Sequence, residues 1–581
     1  MASNVEDLLK KYALLNAYQH GGKAQPKAVL GKVLAENPQL KSQVREVASL
    51  LSRIVEEVNR LTPEEQLKIL RDRWPELLEA RRKPAEAEEK RLPPLPEAEE
   101  GKVVTRFSPN PDCVLHLGSA RAAVLSWFYA RNYKGKFILR FEDTDPRGKK
   151  PKKEFYESIR EDLEWLGCKW DEEHIQSLRL PIYYEHAERL LRLEGGYVCT
   201  CKPEVFRRLV MEGKPCPCRE LPPEIQLERW RMMLDGSFRE GEAVLRVKTD
   251  LSHPNPAVRD WPALRIVDTE RFPHPLVGSQ YRVWPLYNFS CGVDDHLMGI
   301  THIIRGKEHL TNEVRQKYLY AYFGWKYPQA VHYGRLAITG AELSKSKIKE
   351  GVETGVYRGF DDPRLATLQA LRRRGITPEA IRELMLDVGV KAADVTLSWE
   401  NLYAINRKIL DAKAYRYFFV DQPLTLKVSG LGKSYVSRQP LHPDHPEKGY
   451  RELHVEVSLQ GEASLLVSRR DLGLFKPGSI VRLKNLFNVR VERVEDKLVE
   501  ASFHSESHEE ARKAGAPIIH FLPEGETVPC QVLMPDGKLL EGEAEKTCLK
   551  LKPGQVVQFE RFGFVKVESV NGGVKAVYGH P

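Results

Sequence analysis

Three short stretches of the chain carry residues that could do chemistry. The first runs Val103-Val104-Thr105-Arg106-Phe107-Ser108-Pro109-Asn110-Pro111-Asp112-Cys113 and leads into His116-Leu117-Gly118-Ser119. Its apolar start reads as a buried strand, which Pro109 and Pro111 cannot continue because each lacks a backbone donor. After Leu117 the small and apolar residues Ala120, Ala122, Ala123, Leu125 and Trp127 read as a helix packed on a sheet. His116 and Gly118 therefore stand at a helix N-terminus, where free N–H groups and the helix dipole favour an anion such as phosphate. An ordinary strand-to-helix turn with a buried histidine would give the same pattern. The second stretch, Glu342-Leu343-Ser344-Lys345-Ser346-Lys347, follows a short strand-like run. Its lysines could serve phosphate oxygens, or form a solvated basic turn. The third places Cys199-x-Cys201 and Cys216-x-Cys218 on either side of a helix and a Gly213-Lys214-Pro215 turn. That is close to zinc-ligand spacing, with four buried free thiols as the alternative.

Such residues need a scaffold to hold them together. The 581 residues exceed what one core can organise, so roughly three to five domains are expected. With 41% hydrophobic and 29% charged residues, the composition excludes a disordered or membrane protein. No apolar run approaches the roughly 20 residues of a bilayer span. The opening MASNVEDLLKKYALL has no signal-peptide core. A net charge of +9 leans weakly toward a polyanionic partner. The nine cysteines, one tight cluster and five scattered, suit a reducing compartment with a metal site, so the expected location is the cytoplasm.

Along the chain the texture changes several times. Residues 1–80 read as helical: Val44, Val47, Leu51, Ile54 and Val58 form one seam, and Thr62-Pro63-Glu64-Glu65 starts the next helix. Residues 81–101, charged and proline-rich, read as a linker. From 102 to about 194 strands and helices alternate, including KFILRF at 136–141, as a parallel α/β sheet requires. Residues 351–412 return to helix, and Thr377-Pro378-Glu379 opens one of them. From 413 to 581 short apolar alternations are cut by Pro535-Asp536-Gly537, Lys552-Pro553-Gly554 and Asn571-Gly572-Gly573. That part is expected to be all-β, as one or two small barrels.

Taken together, Pro109 to Gly118 and Leu343-Ser344-Lys345-Ser346 resemble the two signatures of class I aminoacyl-tRNA synthetases, with Ser119 and Glu342 departing from the family pattern. TRFSPNPDCVLHLGSARAA, FILRFEDTDP and VDDHLMGITHIIRGKEH narrow the resemblance, over about 102–412, to the glutamyl and glutaminyl branch. The archaeal glutamyl type is most similar, since it too has a helical N-terminal extension and a β-barrel C-terminus. The resemblance implies a multidomain α/β protein with a Rossmann-type catalytic domain over 102–194 and 291–350. It further implies an inserted acceptor-stem-binding domain over 195–290, a helical connecting domain over 351–412 and anticodon-binding barrels over 413–581.

The implied activity is ATP-dependent activation of glutamate, with Mg²⁺, and transfer to the 3′ end of tRNA(Glu). By position, the resemblance assigns ATP binding to Pro109, His116, Gly118, Ser119, Ser344, Lys345 and Ser346, with His116 and Lys345 catalytic. Gly118 is expected to let the nucleotide approach the backbone. Glutamate binding falls to Arg106, Asn110, Glu142, Tyr287 and Arg305, and a structural zinc to Cys199, Cys201, Cys216 and Cys218. Arg305 decides the amino acid, because a guanidinium forks onto a carboxylate and cannot lose its charge. The alternatives are a glutaminyl-tRNA synthetase, a glutamyl transferase acting on a tRNA base, and a non-enzymatic RNA-binding relative. The resemblance leaves open whether tRNA(Gln) is also charged and passed to a tRNA-dependent amidotransferase. Arg482, Arg490, Arg493 and Arg561 could read the differing anticodon base by forked bonds, whereas Phe559 or Phe562 would stack on either base.

Overall fold

The computed structural model describes residues 2–19, 22–26, 29–30, 33–34, 40, 44–74 and 92–581. They fall into two compact units, Met1–Arg91 and Leu92–Pro581. The first contains helices Ala2–Gln19, Val44–Arg60 and Pro63–Arg73. Val47, Leu51, Ile54 and Val58 are buried together, as their spacing predicts. Val44, read into the same seam, is instead 38% exposed, because it is the first residue of its helix and lies before the buried turns. Thr62 caps the third helix reciprocally with Glu65: its hydroxyl accepts from Glu65 N at 3.3 Å, and the Glu65 carboxylate takes the Thr62 N–H at 2.8 Å.

The first part of the expected linker, 81–91, lies outside the described residues. Residues 92–101 are packed on the second unit rather than free. Tyr129 donates its hydroxyl to the Pro93 carbonyl at 2.9 Å, His302 donates to the Pro96 carbonyl at 2.8 Å, and Leu95 is buried. The prolines keep this segment extended, and its carbonyls find donors on the sheet and helix beneath it.

A parallel sheet organises the second unit. Strand Val104–Phe107 pairs with Lys136–Phe141, which pairs with Glu172–Ile175. On its other side, Thr301 donates its N–H to the Val104 carbonyl at 3.0 Å. This brings strand His302–Gly306 alongside, itself parallel to Gln329–Tyr333. The order reverses between Val104–Phe107 and His302–Gly306, which is where open α/β sheets bind ligands. Between the halves, strands Gly196–Cys199, Val244–Val247, Pro262–Ile266 and Val283–Pro285 form an antiparallel sheet with its own core around Trp230, Trp261 and Trp284.

Helices Lys345–Glu353, Leu368–Arg373, Pro378–Val388 and Trp399–Asp411 follow. Thr377 caps the third of them by accepting from Ala380 N. Two seven-stranded sheets, each around its own apolar core, complete the unit. They are nested: strands Arg416–Tyr417 and Phe419–Asp421 join a sheet otherwise built from 527–580, while residues 423–523 supply the other. No helix among the described residues is long and apolar enough to cross a membrane.

Candidate active site

A cavity of about 820 Å³ opens where the strand order reverses, and ten of the twelve residues predicted to bind ATP or glutamate line it. They are Arg106, Pro109, Asn110, His116, Gly118, Ser119, Glu142, Tyr287, Arg305 and Lys345. Ser344 and Ser346 are not among the lining residues. Ser344 sits at the N-cap of helix Lys345–Glu353 without a side-chain cap bond, and Ser346 is exposed.

On one side His116 caps helix Leu117–Asn132. Its Nδ1 accepts from Ser119 N at 3.3 Å, and Ser119 Oγ accepts from His116 N at 3.2 Å. Ser119 thus fixes the imidazole. Burial, reinforced by Lys345, pushes the His116 pKa down to about 4, so the ring is neutral near pH 7. With Nδ1 accepting, the proton belongs on Nε2. A Cβ on Gly118 would lie 2.9 Å from His116 Cε1. The glycine at this position makes room for the imidazole itself. From outside, Leu117 N bonds the Ala366 carbonyl at 2.9 Å and Leu368 N bonds the Leu115 carbonyl at 3.0 Å, strapping the loop. Across the cavity, Lys345 Nζ lies 3.4 Å from both Asp112 Oδ1 and the Asn110 carbonyl. Glu342 closes this second loop by accepting from Ser344 N at 2.8 Å and pairing with Lys347 at 3.1 Å.

On the other side the charges are arginines and carboxylates. Asp295 accepts from Arg106 Nε at 3.1 Å and Arg140 Nη1 at 2.8 Å, and Glu142 accepts from Arg140 Nη2 at 2.9 Å. Burial alone would raise Asp295, but Arg106 and Arg140 hold it at about 2. Burial raises Glu142 against the pull of Arg140. Cys291 lies within 3.3 Å of Arg140 Nη2, and burial pushes its thiol up to about 12, so it stays neutral. Arg305 is 5% exposed. It donates to His332 Nε2 at 3.3 Å, Gln316 Oε1 at 3.3 Å and the Tyr327 hydroxyl at 3.0 Å, all neutral. Among the described residues no carboxylate pairs with it. Ser108 Oγ, Asn110 Oδ1 and Asn288 Oδ1 line the same cavity and are buried without hydrogen-bond partners. A charged, polar ligand suits such a lining.

Sequence reasoning missed Arg140, Asp295, Gln316, Tyr327 and His332. Arg140 alone had a usable signal, an arginine two residues before Glu142 in an otherwise apolar strand.

In the inserted sheet, the sulfurs of Cys199, Cys201, Cys216 and Cys218 all lie within 4.8 Å of one another. Two of the separations, Cys199 to Cys216 and Cys201 to Cys218, are 3.8 Å. That is far beyond a disulfide and equals the edge of a tetrahedron with metal–sulfur bonds of about 2.3 Å.

A doubly wound sheet opening its central strands onto a cavity of this kind defines a nucleotide-binding α/β enzyme. Family models refine the class. The catalytic domain of the class I tRNA synthetases (E and Q) matches residues 102–412, and two anticodon-binding domains of that group match 414–506 and 518–568. The chain belongs to this glutamyl and glutaminyl branch of the class I tRNA synthetases. The glutamate–tRNA ligases of Pyrococcus abyssi and Pyrococcus furiosus are 56% and 55% identical to it, each over 99% of this chain and 100% of their own. That of Methanopyrus kandleri is 48% identical over 99% of both. A crystal structure of the glutamate-tRNA synthetase of Elizabethkingia anophelis aligns with 54% of this chain and 71% of its own, at 25% identity and a TM-score of 0.40.

Proposed function

We infer that the chain is a glutamate–tRNA ligase, using ATP with Mg²⁺ to form glutamyl-adenylate and then glutamyl-tRNA(Glu). One observation carries the choice of amino acid: Arg305 is a buried cation on the cavity wall held only by neutral groups. The charged partner must come from the ligand, and the side-chain carboxylate of glutamate supplies it. Glutamine would leave the guanidinium uncompensated, which argues against the glutaminyl alternative.

In the first step a carboxylate oxygen of glutamate bonds to the α-phosphorus of ATP and the bond to pyrophosphate breaks. In the second a ribose hydroxyl of the tRNA attacks the acyl carbon and AMP leaves. Mg²⁺ carried with the nucleotide neutralises phosphate charge. His116 Nε2–H donates to phosphate oxygens, with Ser119 holding the ring. Lys345 exchanges Asp112 for the developing pyrophosphate, an interaction strongest in the transition state. Glu142 and the unpartnered Asn110 Oδ1 accept from the substrate's α-ammonium, and Tyr287 closes the pocket beside His309, their ring centroids 5.3 Å apart.

We extend the proposal to a structural zinc on the four cysteines, whose spacing fits a closed tetrahedral site. Cytoplasmic location follows from the same reduced thiols. We further propose that tRNA(Gln) is accepted, its product passing to an amidotransferase. Three of the four candidate arginines are already engaged: Arg482 with Asn488 at 2.9 Å, Arg493 with Glu495 at 2.6 Å, and Arg561 forked onto Asp471 at 2.6 and 2.8 Å. Phe559, expected to stack on a base, is fully buried against Phe419 and leaves Phe562 as the stacking candidate. The test of the main reading is aminoacylation of tRNA(Glu) with glutamate and glutamine in parallel. Glutamate-dependent charging supports it, and preferential charging with glutamine rejects it.

A further inference from the structure

Arg305 and His332 face each other across the paired strands His302–Gly306 and Gln329–Tyr333. Arg305 Nε donates to His332 Nε2 at 3.3 Å, Nη1 donates to Gln316 Oε1 at 3.3 Å, and Nη2 to the Tyr327 hydroxyl at 3.0 Å. The Tyr327 hydroxyl in turn donates to Gln316 Oε1 at 2.7 Å. A guanidinium has five N–H donors and no acceptor. The protein takes three of them, one on each nitrogen. The two that remain, one on each terminal nitrogen, match the two oxygens of a carboxylate.

The contact with Nε also fixes the state of the histidine. Since Arg305 can only donate, His332 Nε2 must carry the lone pair and its proton must sit on Nδ1. That nitrogen is 3.5 Å from Glu313 Oε2, and Lys317 holds the other oxygen of the same carboxylate at 2.6 Å. Burial and the neighbouring Arg305 keep the His332 pKa below its usual value, in keeping with a neutral ring. Nε lies on the stem of the arginine, so its acceptor sets the plane in which the two terminal nitrogens point. A carboxylate at 332 would do this equally well, yet would cancel the charge the substrate must meet. A neutral imidazole orients without cancelling.

We propose that His332 is the positioning residue of the specificity arginine, holding the Arg305 guanidinium in plane through Nε2 while leaving its charge free for the substrate's side-chain carboxylate. This rests on Arg305 reading glutamate. The test is steady-state aminoacylation by full-length His332→Ala, His332→Gln and His332→Glu beside Arg305→Ala. His332→Ala should raise KM for glutamate about tenfold, the scale of a lost bond to a charged group, with KM for ATP unchanged. His332→Gln, which returns a neutral acceptor, should recover most of that loss. His332→Glu should be worse than His332→Ala for glutamate and no worse for glutamine. Should the alanine variant fail to fold, the isosteric Gln and Glu variants decide by the same comparison. Glutamate KM within twofold of the parent in His332→Ala, or equal for Gln and Glu at 332, overturns the proposal while Arg305→Ala still loses glutamate. If Arg305→Ala also keeps normal glutamate use, the reading of Arg305 itself has failed.

Discussion

Replacing Arg305 with alanine tests the functional reading most directly. In the buried half of the site three guanidiniums, Arg106, Arg140 and Arg305, face two carboxylates, Glu142 and Asp295. The excess is one positive charge, and free glutamate carries one negative charge where glutamine carries none. Arg106 and Arg140 cannot take over, because Asp295 and Glu142 hold them at 2.8 to 3.1 Å. Losing the forked bond removes about 1.5–3 kcal/mol, and leaving the substrate carboxylate unpaired in a dry site brings the cost to about 3–5 kcal/mol. At about 1.4 kcal/mol per tenfold, kcat/KM for glutamate should fall by roughly a hundredfold to a few thousandfold. Glutamine use, already poor, should change by less than about tenfold. Charging of saturating tRNA(Glu) with each labelled amino acid measures both. An Arg305→Ala enzyme that keeps glutamate kcat/KM within about threefold, or loses glutamine equally, would refute the reasoning.

Lys345→Ala should lower kcat far more than it raises KM for ATP, since its partner in the resting site is Asp112 and its charge is needed in the transition state; an equal loss in both would make it a simple anchor. Metal analysis of protein purified without chelator should find about one zinc per chain, and chelation should unfold the inserted sheet; protein without zinc leaves four thiols. His116, His309, His520 and His580 are all held by burial at about 4 against 6.5. The folded state therefore binds fewer protons than the unfolded one between those values, so stability falls as pH drops from 6.5 toward 4. Melting temperatures should be level above about pH 6.5 and decline below it, and a level profile down to pH 5 contradicts the burial argument. tRNA(Gln) should be charged within about tenfold of tRNA(Glu); strong discrimination would assign base reading to Arg490.

What the sequence made legible was whatever is written locally. The Thr62 and Thr377 caps, the strand before His116 and each of the two cysteine pairs declare themselves within a few residues, because caps, strands and close pairs are set by local backbone geometry. The amino-acid pocket is different. Asp295 is joined to Arg106 from 189 residues away and Arg140 to it from 155, so no periodicity connects them until the sheet does. Gly118 shows a subtler gap: the need for glycine was readable, but the atom it makes room for, His116 Cε1, was not. Phe559 illustrates the reverse error, an aromatic in a binding region whose ring the core needed more.

The nesting of the two C-terminal sheets has a consequence for how the protein is made. Asp421 must wait for Gly542, and Arg416 for Gln558, each more than a hundred residues later in the chain. As the polypeptide emerges from the ribosome, residues 423–523 can complete their sheet while Phe419 still lacks the strands that cover it. That aromatic, fully buried in the finished protein, stays exposed until those strands are made. At roughly 5–20 residues per second the interval is on the order of ten seconds, ample for a chaperone or a neighbouring nascent chain to find it. Aggregation during expression is therefore expected to involve this seam.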